Sequence, residues 1–152
     1  MKEDARILVV DDEPMLDICH EIKRAQENLN REAGNYFNYC AQRCRGICCR
    51  NICINDVVTQ LDLIYILAID EDISDLVHSC AQRESLFSED CLFLQDGAGP
   101  CIFAADVKPE RCIITFCVEV RPIKREIKAI RSNFNKLSRF TKIKRPFLWI
   151  RF

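Results

Sequence analysis

Eight cysteines fall into two groups whose spacing could hold metal. The first is the run Cys40-Ala-Gln-Arg-Cys44-Arg-Gly-Ile-Cys48-Cys49, and the second is Cys91, Cys101, Cys112 and Cys117. Ligation by thiolate needs several sulfurs brought close together, with their negative charge offset nearby. Arg43, Arg45 and Arg50 are interleaved with the first group, while Lys108 and Arg111 precede Cys112, so cations are at hand to favour the thiolate form. Three chemistries compete in so cysteine-rich a chain: a disulfide framework, a metal site or redox chemistry. The total of 11 is odd, so the thiols cannot all pair within one chain. A bridge between adjacent Cys48 and Cys49 would close a strained ring.

The compartment decides between these chemistries. Met1 to Arg6 is charged and leads into only Ile7, Leu8, Val9 and Val10 before Asp11 and Asp12, which is not the apolar core of a signal peptide. No uncharged run approaches the roughly 18 residues that cross a bilayer. A cytoplasmic, reducing location is therefore expected, and there clustered thiols bind metal more often than they form disulfides.

Taken together, Cys40-x3-Cys44-x3-Cys48-Cys49, Thr59-x2-Asp62, Cys91-x-Phe93-Leu94, Cys101-Ile-Phe103 and Lys108-Pro109-Glu110-Arg111-Cys112-x4-Cys117 form a pattern. It resembles the YkgJ-type cysteine cluster family, described as zinc- or iron-chelating, over roughly residues 40 to 117. The family's first cysteines are spaced CxxCxxCC, whereas here each gap is three residues. The resemblance implies that Cys40, Cys44, Cys48, Cys49, Cys91, Cys101, Cys112 and Cys117 are the metal ligands, and that the cofactor is zinc or an iron-sulfur cluster. Eight thiolates suffice for two four-coordinate zinc sites, or for a cluster with or without a separate zinc. A closed zinc site would be structural, whereas a cluster would imply electron transfer or sensing. Cys19, Cys53 and Cys80 fall outside the pattern and read as small buried hydrophobes.

The N-terminal stretch carries a second resemblance. Ile7-Leu-Val-Val-Asp11-Asp12-Glu13-Pro14 looks like the opening strand and acidic loop of a response-regulator receiver domain. There, paired carboxylates hold Mg²⁺ beside a phosphoaccepting Asp, and a Lys-Pro closes the site. Asp56 and Lys108-Pro109 lie at suitable spacings, which makes a phosphorylation-controlled regulator an alternative to the metal protein. Radical chemistry is excluded by spacing, since it expects CxxxCxxC. His20 beside Cys19 and His78 near Cys80 do not single out a nucleophile, so no catalytic residue is assigned and whether the chain is an enzyme is left open.

The elements that must position these groups are mostly helical. Residues 6 to 12 read as a short strand, and Pro14 fits the first turn of a following helix. Met15, Ile18, Ile22, Ala25 and Leu29 recur at three- and four-residue spacing and predict a helix over 14 to 32, with Gly34 as its stop. Ile52 to Val58 is expected to be extended. Thr59-Gln-Leu-Asp62 is a capping box in acidic form and opens a helix through about Ile69. Ile73, Leu76, Val77 and Cys80 suggest another short helix. Cys91-Leu-Phe-Leu and Cys101-Ile-Phe flank a glycine-rich turn and resemble a hairpin, limited by Pro100. From Pro122 onward, Ile123, Ile127, Ile130, Phe134 and Leu137 define an amphipathic helix with Lys124, Arg125, Lys128 and Arg131 on its other faces.

The expected fold class is accordingly α+β: a small, mainly helical domain with irregular cysteine-rich loops organised around metal. Its parts are an N-terminal strand and helix over 1–34, a cysteine-cluster domain over 35–118, and a basic helix and tail over 119–152. The last of these holds eleven Lys or Arg against Glu119 and Glu126, a net charge of +9, so the first 118 residues carry −10 of the overall −1. Such asymmetry suits a protein partner and, less readily, nucleic acid. A basic face solvated over the acidic body is the simpler reading.

Overall fold

The computed structural model describes residues 12–33, 49, 54–82, 91–95, 100–116 and 123–143. Two long helices with matching apolar stripes form its frame. Helix α1 (Glu13–Ala33) starts where the Asp12 carbonyl accepts the Leu16 N–H at 3.0 Å, with Pro14 in the first turn. It buries Met15, Cys19, Ile22, Gln26 and Leu29, a four-three spacing that keeps one face inward. The short helix α2 (Ile54–Val57) leads to α3 (Gln60–Ile69), then a 3-10 turn (Glu71–Ile73) and α4 (Ser74–Ala81). Helix α5 (Glu110–Ile114) and the long α6 (Lys124–Thr141) follow. Ile123, Ile130, Phe134 and Leu137 repeat the four-three spacing, and that stripe lies along α1.

Helix α3 fits against both long helices. Unlike them it is apolar nearly all round, and it buries Leu61, Tyr65, Ile66 and Leu67. A helix of that composition must be enclosed, and it forms the centre of the core. The Tyr65 and Phe134 rings meet edge to face, 5.5 Å apart at 77°. Residues from all three expected segments contribute to this one hydrophobic cluster. The basic helix therefore has its inner face covered by the rest of the chain, while Lys124, Arg125 and Lys128 remain exposed.

The fold class differs from the α+β expectation. Helix makes up 76% of the described residues and no strand occurs among them, so the described fold is mainly helical. The expected hairpin is reduced to one antiparallel bridge between Leu94 and Cys101. The Leu94 N–H turns back to the Cys91 carbonyl at 3.2 Å, which curls this piece of chain. Pro100 brings no N–H to a ladder. Ile52 to Val58 is also not extended where it is described. Ile54–Val57 is helical, and the Val58 N–H reaches the Ile54 carbonyl at 2.8 Å. One helical turn puts Ile54 and Val58 on the same side, and both pack on the core, so tertiary burial overrides the β-branched preference. The expected strand over 6–12 lies outside the described residues except for Asp12, as do Gly34 and the tail from 144 onward.

Candidate metal centre

A buried polar clamp holds the segment that carries Lys108 and leads to Cys112. Gln26 is fully buried, and its side-chain amide pairs reciprocally with the backbone N–H and carbonyl of a single residue, Lys108. Its Nε2 donates to the Lys108 carbonyl at 2.8 Å and its Oε1 accepts the Lys108 N–H at 2.9 Å. One turn later on α1, Asn30 Nδ2 donates to the Ala105 carbonyl at 2.7 Å. From α3, the Tyr65 hydroxyl donates to the Asp106 carbonyl at 3.3 Å.

Asp62 completes the clamp from the first turn of α3. The capping box is present in both directions: the Thr59 N–H and hydroxyl donate to Asp62 Oδ2 at 2.7 and 2.6 Å, and the Asp62 N–H reaches Thr59 Oγ1 at 3.3 Å. The other oxygen, Oδ1, accepts the N–H of Glu110 at 2.7 Å. One carboxylate thus caps α3 and holds the start of α5. Pro109 stands just before α5 with ψ 145°, and its carbonyl accepts the Ile113 N–H at 3.1 Å. Cys112 lies within that helix.

Four of the eight expected ligands fall within the described residues: Cys49, Cys91, Cys101 and Cys112. Cys49 comes from the first sequence group, yet its carbonyl accepts the Cys91 N–H at 2.7 Å. Cys91 opens the turn that ends at the Leu94–Cys101 bridge, which is pinned by Ile102 N–H to Phe93 O at 2.9 Å and Gln95 N–H to Pro100 O at 3.0 Å. The Phe93 and Phe103 rings pack 4.8 Å apart beneath it. Burial pushes the Cys91 thiol up to about 11, with Cys101 and Cys49 adding repulsion. Burial also drives the Cys112 thiol far above the usual range, followed by the charges of Cys101, Cys49 and Cys91. Lys108 opposes the shift at both thiols.

No disulfide joins any two described cysteines. Among the described residues, no group of three or more Cys, His, Asp or Glu side chains is arranged to hold a metal ion. The four thiols are thus electrostatic neighbours that do not converge on a common point. Thiols are by type ligands for a thiophilic cation, but these four are not arranged as a metal site. Cys40, Cys44, Cys48 and Cys117 lie outside the described residues.

The remaining candidates are spread over the fold. Cys19 and Cys80 are fully buried within the core cluster, and burial alone pushes Cys19 up to about 11. Cys53 is not among the described residues. His20 is exposed on α1, and exposed His78 pairs with Gln82 at 2.8 Å near the end of α4. Asp56 is exposed on α2, and Lys108 stands by the thiols. A groove of about 500 Å³ between α1 and α6 is lined by Glu21, Arg24, Glu32, Arg125 and Glu126 among others, and by no cysteine.

The clamp residues Gln26, Asn30 and Tyr65 have no place in the sequence pattern. Gln26 did leave a signal there, since it is a polar residue in the inward stripe of α1. Among the described residues, no helix is long and apolar enough to cross a membrane. Comparison with family models, with curated proteins and with solved structures finds no match.

Proposed function

We propose that this chain is a metal-binding protein that holds zinc through its clustered cysteines, and that the metal is structural. The observation that supports the reading is the backbone hydrogen bond from the Cys91 N–H to the Cys49 carbonyl at 2.7 Å, which sets a cysteine of the first sequence group beside one of the second. Zinc in a closed thiolate site supplies cross-linking and no redox chemistry. Cys40, Cys44, Cys48, Cys49, Cys91, Cys101, Cys112 and Cys117 are the sulfurs that would hold it, with Lys108 offsetting part of the negative charge. Gln26 and Asp62 would act through the backbone, by holding the loop on which Lys108 and Cys112 sit. An iron-sulfur cluster would draw on the same sulfurs and would make the protein a redox or sensor protein.

A cytoplasmic location suits this chemistry, because a reducing compartment keeps thiols available to metal. The exposed Lys124, Arg125 and Lys128 face of α6 is the surface on which a protein partner would dock.

Anaerobic purification followed by elemental analysis and an absorption spectrum tests the assignment. Colourless protein that contains zinc and no iron is expected. A visible sulfur-to-iron absorption with iron in the sample would transfer the site to the cluster reading. Metal removal should lower the melting temperature and reduce the circular dichroism, because the cysteine-bearing loops contain few long apolar runs to hold them by burial. An unchanged melt after chelation would refute a structural metal.

A further inference from the structure

We propose that the groove between α1 and α6 is a binding site for a small zwitterion, a free amino acid or a dipeptide, whose ammonium group meets Glu126 and whose carboxylate meets Arg24 and Arg125. The inference goes beyond the metal-binding reading and uses none of the cysteines. The two long helices build the groove. At one end Asn133 Nδ2 donates to the Glu21 carbonyl at 3.2 Å, and the Lys136 ammonium meets Glu21 Oε2 at 2.6 Å. From there the groove runs along α1 to Glu32 and back along α6 to Arg125, so the helices lie antiparallel on either side of it. That stretch of α1 rises by roughly 16 Å. Ala25 and Ala129 stand between the two ends, and their single methyl groups leave open the space that longer side chains would fill. The resulting volume of about 500 Å³ falls within the range of small-molecule sites.

The charges select the ligand. Glu21 is neutralised by Lys136, which leaves Arg24, Arg125, Glu32 and Glu126 on the walls. None of these four is in an ion pair among the described residues. Glu126 is half-buried, and its Oε2 is shut off from solvent and accepts no hydrogen bond. An N–H brought by a ligand would offset the cost of desolvating that oxygen. A turn of the carboxyl group about its last bond, which is a soft rotation, presents it to the groove that Glu126 lines. A simple cation would gain from Glu126 but meet two guanidinium groups, and a simple anion would meet two carboxylates. A molecule that carries both charges satisfies both sets, because the walls, like the zwitterion, sum to zero. Arg24 and Arg125 are exposed and present the planar donor fork that suits a carboxylate.

Binding to the full wild-type chain tests the site. The common amino acids and a set of unblocked dipeptides are titrated by saturation-transfer NMR and calorimetry. At least one should bind saturably, with one ligand per chain. Acetylating its amine or amidating its carboxylate should weaken binding about 10–100-fold, the loss expected for a charged hydrogen bond. Absence of saturable binding by every member, or equal binding of the blocked forms, overturns the proposal. Variants then place the ligand. Glu126→Gln should weaken binding about 10–100-fold, as should Arg24→Gln combined with Arg125→Gln. Ala129→Leu, at an exposed position of α6, fills the groove and should abolish binding with the melting temperature unchanged. Lys128→Gln, exposed on α6 but not lining the groove, should bind as the wild type does. Wild-type affinity in Glu126→Gln or Ala129→Leu, or a loss in Lys128→Gln equal to that in Glu126→Gln, overturns the site. The metal content should be the same in all of these variants, so failure of the groove and failure of the metal-binding reading are told apart.

Discussion

The carboxylate of Asp62 accepts the backbone N–H of Glu110 at 2.7 Å, across 48 residues of sequence. The same side chain closes the capping box of α3 with its other oxygen. A single buried acid therefore ties the most buried helix of the core to the helix that bears Cys112. Charge-assisted hydrogen bonds of this kind are about twice as strong as neutral ones.

Asp62→Asn should consequently cost about 3 kcal/mol, although it changes only one atom of the side chain. An amide can accept on one side only, so its NH₂ must face either the Thr59 donors or the Glu110 N–H, and a buried donor loses its acceptor. The shift of the chemical denaturation midpoint measures the cost. A change within about 0.5 kcal/mol, as for an exposed site, would contradict the clamp.

Gln26→Leu preserves the volume and the apolar stripe of α1 while removing both hydrogen bonds to Lys108. The Lys108 N–H and carbonyl would lose their partners in a part-buried setting, at about 2 kcal/mol. Were Gln26 only filling space, the leucine would stabilise the protein, so the sign of the change in unfolding free energy distinguishes the two.

Phe134→Ala should cost about 3–5 kcal/mol, the range for deleting a buried aromatic side chain. Phe134 is 1% exposed and packs edge to face on Tyr65, so the cavity opens where α1, α3 and α6 meet. Thermal or chemical denaturation reads it directly.

Lys142, which caps α6, adopts φ 59° and ψ 14°, in the left-handed region that disfavours a residue with a Cβ. Lys142→Gly should therefore stabilise the protein by about 1 kcal/mol, in spite of glycine's greater freedom in the unfolded chain. A lower melting temperature would show that the lysine side chain contributes more than its backbone costs.

Stability should fall on the alkaline side. Burial raises the Cys19 thiol from the usual 9.0 to about 11, so between these values the unfolded chain has lost a proton that the folded chain retains. The contribution is complete below pH 9 and is lost as the pH rises towards 11, at up to about 1.4 kcal/mol per pH unit. Tyr65 is raised by burial too and acts with the same sign at higher pH. Replacing Cys19 by alanine should flatten the fall in unfolding free energy between pH 9 and 11.

What the amino-acid sequence determined by itself was local. The four-three stripes of Met15 to Leu29 and Ile123 to Leu137 predicted both long helices, because a helix shows the same face every three or four residues. Thr59 and Asp62 marked the start of α3, because a capping box is made within a single turn. The short pieces misled for the same reason. Ile54 to Val58 has an extended preference that burial on a helical core overrode, and Pro100 with the Cys91 turn left the hairpin one bridge among the described residues. The cysteine spacing pointed to sulfur chemistry without saying which thiols share a place. Only the tertiary structure set Cys49 beside Cys91, and Gln26 and Asp62 against the backbone before Cys112. These contacts join residues dozens of positions apart, and such distances in sequence become contacts only once α1, α3 and α6 have packed.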